Sequence, residues 1–371
     1  MQYYDDTMYS EGAAEIKFAK NAFLNPVGRA SRDISVALAK VFLKKGASVL
    51  DATAATGIRG IRYYKESGAR DVTMLEINSK VYRDTIGNAR HNRVKARVLN
   101  ESFQEFANTE KARFDMIDLD PFGSAAPYIF DAMKIAGDSS LLAVTATDTA
   151  VLCGAHREAC LRVYDSVPMH NEFCHEAGMR ILIGYIARIA AQFNYGIEVL
   201  LSPYYAHYMR TYVVLRHGSK NVSSTLRNLG YVYYCSKCGF RKYSKGEVPE
   251  PGRCDKCGSK MTQAGRMWMG GLHDKNVVGE VRDALKGEGF SEEARTLIGR
   301  IYDELDLPFY YSVPDLTKRL KISSVGLAEI IECLSGRYRV SRTHFDYLSL
   351  KTDAPYDAVL DCMKKKRGRK K

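Results

Sequence analysis

A repeated alternation of short apolar runs with helix-length stretches, beginning near Ala47, most constrains this chain. Ser48–Asp51, Asp71–Glu76, Ala96–Asn100, Phe114–Leu119 and Ser140–Ala146 each read as a buried strand. Between them lie amphipathic segments, among them a helix over Lys80–His91. Such βα repeats favour a parallel, doubly wound sheet covered on both faces. A further helix is expected over Glu176–Gln192, then strands Ile197–Leu201 and Thr211–Leu215. The last two have no helix-length spacer, so they should form a terminal antiparallel hairpin. Upstream, Ala13–Phe18 reads as a short strand, and Ser31 or Asp33 as the cap of a helix over Ile34–Leu43.

Open α/β sheets place their chemistry at the carboxyl ends of the strands. After Asp51, the small-residue loop Ala52–Gly60 runs into a helix carrying Arg59 and Arg62. The loop is not G-x-G-x-x-G, which disfavours a dinucleotide pyrophosphate. Glu76 ends the second strand, where an acid suits ribose hydroxyls. Glu101 ends the third, where its side chain or the Ser102 backbone N–H could meet an adenine edge. One acid after a strand is ordinarily a solvated loop residue. Acids at successive strand ends favour a nucleoside cofactor, and the missing phosphate motif points to S-adenosylmethionine rather than NAD or ATP.

The fourth strand ends in Asp118-Leu119-Asp120-Pro121-Phe122-Gly123-Ser124. A carboxylate beside an aromatic ring suits a planar base with an exocyclic amine. The amine lone pair is delocalised, so acceptors for its N–H groups must favour a pyramidal, nucleophilic nitrogen. Positioning and electrostatics supply most of such a rate. The bland alternative is a proline turn with a core Phe, Asp120 merely capping the next helix. Of the two acids, Asp120 directly precedes the proline and is the expected amine acceptor, with Asp118 helping to hold the turn or the cofactor.

A polar stretch, His217–Asn228, marks the expected boundary between domains 1–220 and 221–371. The second domain opens with Cys235-x2-Cys238-x15-Cys254-x2-Cys257, a zinc-ribbon spacing within 231–262. Four thiolates leave no open coordination position, so the role is structural. Phe240-Arg241-Lys242-Tyr243 beside it could touch RNA or form a solvated hairpin. Farther on, Ser312-Val313-Pro314-Asp315 has the form of a capping box. Helix, turn, helix and two strands after it give a winged-helix-like pattern, which a plain helical bundle would nearly match. His156, His170, His175 and His207 form no ligand spacing with acids and read as structural, as does Cys153.

The net charge is +12, but seven basic residues lie in the tail 364–371, expected to be disordered, and without them +5 remains. Nucleic-acid binding must therefore be argued from sites. Nine cysteines, an odd number, with no signal peptide and no long apolar run, point to a reducing cytoplasm and to no membrane partner.

The blocks Asn25-Pro26 with Arg32-Asp33, Ala54–Arg62, Asp118–Ser124, Thr147–Gly154 and His175–Leu182 are together specific. In this order they resemble the tRNA guanine-26 N2-dimethyltransferase family. The resemblance implies a Rossmann-like class I methyltransferase domain, a smaller α+β C-terminal domain that grips tRNA, and transfer of one or two methyls to N2 of guanine 26. It also implies that Arg32, Arg59 or Arg62, Glu76, Glu101 and Ser102 line the S-adenosylmethionine site, and that Asp120 and Phe122 hold the guanine. The family often has Asp where Glu76 stands and Asp-Ala where Glu101-Ser102 stand. The expected assembly is a monomer. Two other readings remain: a DNA amino-methyltransferase, whose sites usually carry two prolines in this turn, and a zinc-ribbon binding protein with a degenerate Rossmann domain, against which Glu76, Glu101 and Asp120 argue.

Overall fold

The βα repeats assemble as their pattern requires. The computed structural model describes residues 8–17, 24–246 and 252–364. Most of the basic tail and part of the loop inside the cysteine module lie outside them. A hairpin of β1 (Met8–Glu11) and β2 (Ala14–Lys17) comes first, then α1 (Arg29–Phe42). The chain continues through β3 (Ser48–Asp51), α2 (Ile58–Glu66), β4 (Asp71–Leu75), α3 (Ser79–His91), β5 (Ala96–Leu99), α4 (Phe103–Thr109), β6 (Phe114–Leu119), α5 (Ala126–Ile135) and β7 (Ala136–Ala146). Next come α6 (Thr149–Leu152), α7 (Arg157–Tyr164), α8 (Cys174–Gln192), β8 (Tyr195–Leu201), β9 (Tyr204–Tyr205) and β10 (Tyr208–His217).

The main sheet has the order β5-β4-β3-β6-β7-β10-β8. Strands β5 to β7 are mutually parallel, and β10 is antiparallel to both β7 and β8. The expected hairpin is thus present, but its second strand is inserted between β7 and β8. Strand order reverses between β3 and β6, where Asp51 and Asp118 stand side by side in register. That crevice is where a doubly wound sheet binds its ligand. Helix α1 starts at Arg29, so Asp33 is not a cap; it is buried inside the helix and accepts from Arg62 and from Ser291 N.

The polar stretch 217–228 is not a linker. It forms α9 (Ser219–Leu226), docked on β8, where Thr225 Oγ1 accepts from Ile197 N at 2.9 Å. Strands β11 (Leu229–Tyr234), β12 (Arg241–Lys245) and β13 (Thr262–Trp268) form a small antiparallel sheet around the cysteine module. Met267 and Trp268 of this sheet share one core with Ile183 and Ala187 of α8. Helices α10 (Lys275–Ala284) and α11 (Glu292–Asp303) pack on α1 through Val278, Val281 and Ile298 against Ile34 and Leu38. A buried ion network tightens the junction: Lys351 pairs with Glu176 of α8 at 3.2 Å and with Glu304 at 2.8 Å.

The last segment has its own core. It comprises β14 (Tyr311–Ser312), α12 (Val313–Leu320), α13 (Leu327–Ser335), β15 (Val340–Arg342), β16 (Ser349–Thr352) and α14 (Tyr356–Lys364). Ser312 caps α12 by accepting from Asp315 N. Cys333 and Cys362, scattered in sequence, form a disulfide between α13 and α14. Spacing alone could not show this, because 29 residues separate them. Among the described residues no helix is long and apolar enough to cross a membrane.

Candidate active site

A cavity of about 410 Å³ lies over the carboxyl ends of β3 to β6. This is within the size range of ligand sites, roughly 300–1,000 Å³. Its wall includes the loop after Asp51, Glu76 beyond β4, Glu101 and Ser102 beyond β5, and Asp120, Pro121 and Phe122 beyond β6. Arg32 and Arg59 reach it from α1 and α2. Glu76 accepts one backbone N–H, from Asn78 at 2.7 Å, which orients its carboxylate after the strand.

The turn after β6 is fixed on both sides. Gly123 N donates to Thr147 Oγ1 at 2.8 Å, and Thr147 N donates back to Gly123 O at 2.9 Å. Gly123 has φ +77°, a left-handed conformation that costs glycine little. Ser124 Oγ is 2.8 Å from Tyr164 Oη, which also donates to Asp148. The Phe122 ring is 75% exposed at the cavity rim.

Asp120 is one-third exposed (34%) and accepts from Arg59 Nη2 at 2.5 Å. Burial alone would raise its carboxyl, but Arg59 and then Arg210 outweigh that and hold it down at about 2. It is therefore an anion at every working pH. Behind it, Asp118 is fully buried and takes both oxygens' hydrogen bonds from Arg210, at 2.8 and 2.7 Å. Tyr63 Oη also donates to Asp118, and Arg59 Nε stands 3.7 Å away. Asp51 goes the other way: burial, then Asp118, push its carboxyl up to about 7.

The family model for N2,N2-dimethylguanosine tRNA methyltransferase matches residues 5–364. The chain belongs to this family. A tRNA (guanine(26)-N(2))-dimethyltransferase of Pyrococcus furiosus is 39% identical over 364 residues, covering 92% of each chain. One of Methanothermobacter thermautotrophicus is 36% identical over 344 residues, covering 90% of each. The solved complex of Trm1 from Pyrococcus horikoshii with S-adenosyl-L-methionine aligns with a TM-score of 0.88 at 35% identity, over 96% of this chain and 99% of that one.

Within this family member, two sequence-predicted residues fall away from the cavity. Arg62 is fully buried one turn below Arg59 and pairs with Glu11 at 2.7 Å, Asp33 at 2.6 Å and Glu66 at 2.9 Å. It fastens the β1–β2 hairpin to α2 and does not line the cavity. Asp118 likewise does not line the cavity, because β6 still buries it one residue pair before the turn. Ser102 does line it, but its N–H and hydroxyl both donate to Glu105 in a capping box at the start of α4. The adenine contact expected of that N–H would have to compete with the cap.

Sequence reading missed four residues of the site. Arg210 and Tyr63 hold Asp118, Thr147 locks the Gly123 turn, and Glu11 anchors Arg32 with Nε–Oε1 at 2.8 Å. Tyr208 also lines the cavity and accepts from Asn25 Nδ2 at 2.7 Å. Only Thr147 carried a signal, through its place in a distinctive block.

In the cysteine module the four sulfurs lie within 4.8 Å of one another. Two knuckles repeat one pattern. Gly239 N donates to Cys235 O at 2.8 Å and Gly258 N to Cys254 O at 2.9 Å. Cys235 N donates to Phe240 O and Cys254 N to Ser259 O, both at 2.8 Å. Both glycines are left-handed, φ +84° and +69°. Of the neighbouring basic-aromatic stretch, Arg241 is turned inward, 3.7 Å over the Tyr311 ring, while Tyr243 stays exposed.

Proposed function

We propose that the strand-end cavity is where this chain, as a member of its family, carries out S-adenosylmethionine-dependent methylation of guanine 26 N2 in tRNA. One observation carries the assignment: an ionised Asp120, held by Arg59, opens into the cavity beside the exposed Phe122 ring. Bound S-adenosylmethionine would supply an electrophilic methyl group. Glu76 is offered to its ribose, Glu101 and the start of α4 to its adenine, and Arg32 and Arg59 frame the side nearest α1. The fit rests on the donor set, since the wall offers acids at two strand ends and lacks a pyrophosphate loop.

Phe122 would stack on the guanine, which must leave its helical stack to reach the cavity. Asp120 accepts an N–H of the exocyclic amine and draws the nitrogen towards a pyramidal shape. A carboxyl at about 2 is too weak a base to keep the proton at neutral pH. It therefore steers the amine electrostatically, and the proton passes on to water. After the first transfer one N–H remains, and the same acceptor can serve the second. Asp118 and Arg62 act at one remove, Asp118 by holding Arg59 and Arg210 in place and Arg62 by holding the hairpin that carries Glu11.

The four-cysteine module is read as a structural zinc ribbon, because its paired knuckles present four thiols with nothing left open. The segment from β14 to α14 is read as winged-helix-like. With the ribbon and the basic tail it forms the part that grips tRNA through phosphate and shape. The chain would act as a cytoplasmic monomer. The test is incubation with methyl-labelled S-adenosylmethionine and unmodified tRNA, followed by nucleoside analysis. Label in N2-methyl- and N2,N2-dimethylguanosine is expected, and label confined to adenosine or cytidine would refute the reading.

A further inference from the structure

Behind the acceptor turn, three soft donors converge. Cys153 caps the C-terminus of α6, and Cys174 and His175 are the first two residues of α8. Each offers one ligand atom, and those atoms lie within 4.8 Å of one another. In sequence the first is about twenty residues from the other two, so no spacing rule exposes them.

Several features hold the three in place. Gly178 lets α8 meet α6 closely, since a Cβ there would stand 3.1 Å from Leu152 Cβ and 3.2 Å from its carbonyl oxygen. His170 Nδ1 is 3.1 Å from Cys153 O, which fixes the loop beyond α6. Tyr204 stacks on the His175 imidazole at 4.4 Å and 19°, which sets the ring plane.

An independent observation points to a ligand here. Tyr310 is fully buried, and among the described residues its hydroxyl has no hydrogen-bond partner. Its ring stacks on Phe345, which stacks in turn on Tyr204, the ring that covers His175. A buried hydroxyl left unpaired is costly and calls for an explanation. The water on a bound cation would provide the partner.

We propose that Cys153, Cys174 and His175 bind a second divalent metal ion of the zinc class, with a water molecule in the fourth position. Thiolate and imidazole are the donors such an ion prefers. A tetrahedral site with Zn–S bonds of ~2.3 Å has sulfur–sulfur edges of about 3.8 Å, so small side-chain rotations complete it. The ion would tie α6 to the start of α8. Helix α6 follows directly on Thr147 and Asp148, which hold Gly123 and, through Tyr164, Ser124. The second metal therefore braces the acceptor turn from behind, and its role is structural.

The test is cobalt(II) titration of the metal-free, reduced full-length chain under anaerobic conditions, read by the visible absorption of tetrahedral cobalt. The wild-type chain is expected to take up one more equivalent than either Cys174→Ser or His175→Ala. His175→Ala leaves both thiols in place and serves if Cys174→Ser does not fold. Cys238→Ser, which disables the ribbon, should leave the Cys174-dependent equivalent intact. Equal uptake by the wild type, Cys174→Ser and His175→Ala would overturn the proposal.

Discussion

Replacing Arg210 by Met tests the buried support beneath the acceptor site. Arg210 donates twice to Asp118 and once each to Thr145 Oγ1 and Tyr212 Oη, and both partners of the ion pair are essentially sealed from solvent. Met fills much of the same volume and removes the charge. Asp118 then keeps the Tyr63 hydroxyl and Arg59 Nε at 3.7 Å, too little to compensate a buried anion. Breaking a buried pair from one side costs ~3–5 kcal/mol. Unfolding entropy of roughly 2.1 cal/mol/K per residue, over 371 residues, converts this to a fall in Tm of about 4–6 °C. Calorimetry of the wild type, Arg210→Met, Asp118→Asn and the double variant would measure it. The double variant should recover most of the loss, because no charge is left unpaired. A change within about 1 kcal/mol for Arg210→Met, or losses that simply add in the double variant, would mean that Arg210 does not support Asp118 as a buried pair.

Two further outcomes follow from the same geometry. Asp51 binds a proton in the folded chain up to about pH 7, whereas an unfolded chain releases it near 3.8, so stability falls as pH rises through that window. Asp51→Asn should therefore raise the unfolding free energy more at about pH 8 than at about pH 5, by a few kcal/mol at ~1.4 per pKa unit; a pH-independent difference in denaturant unfolding would contradict the assignment. Gly230→Ala places a Cβ 1.9 Å from the Ser244 carbonyl oxygen, so β12 must move off β11. A loss of ~1–3 kcal/mol and faster amide exchange along β12 are expected, and unchanged exchange would count against the packing described.

What the sequence showed was local. Glu76, Glu101, Asp120 and Phe122 directly follow strands whose apolar runs are legible, and all four reach the cavity wall. Arg59 and Arg62 look alike on paper, yet one turn of α2 separates the cavity from the β1–β2 hairpin, and only the three-dimensional path of that hairpin distinguishes them. Arg210 stands 92 residues from Asp118, inside a strand whose alternation suggested nothing but a hairpin. Its burial became possible because β10 inserts beside β7, a crossing that no periodicity encodes. The same holds for the Cys333–Cys362 bond and for the shared core across the expected domain boundary, which depend on contacts distant in sequence.

In the proposed reaction Asp120 serves the amine and not the cofactor. This is tested most directly by measuring, on Asp120→Asn, both the single-turnover rate of methyl transfer to unmodified tRNA and the equilibrium affinity for S-adenosylmethionine. Removing one charged acceptor aimed at a reacting group typically costs ~10²–10³ in rate. A loss of that size is expected, with cofactor affinity changed by no more than a few-fold. Transfer near the wild-type rate, or a loss explained wholly by weaker cofactor binding, would contradict that role for Asp120.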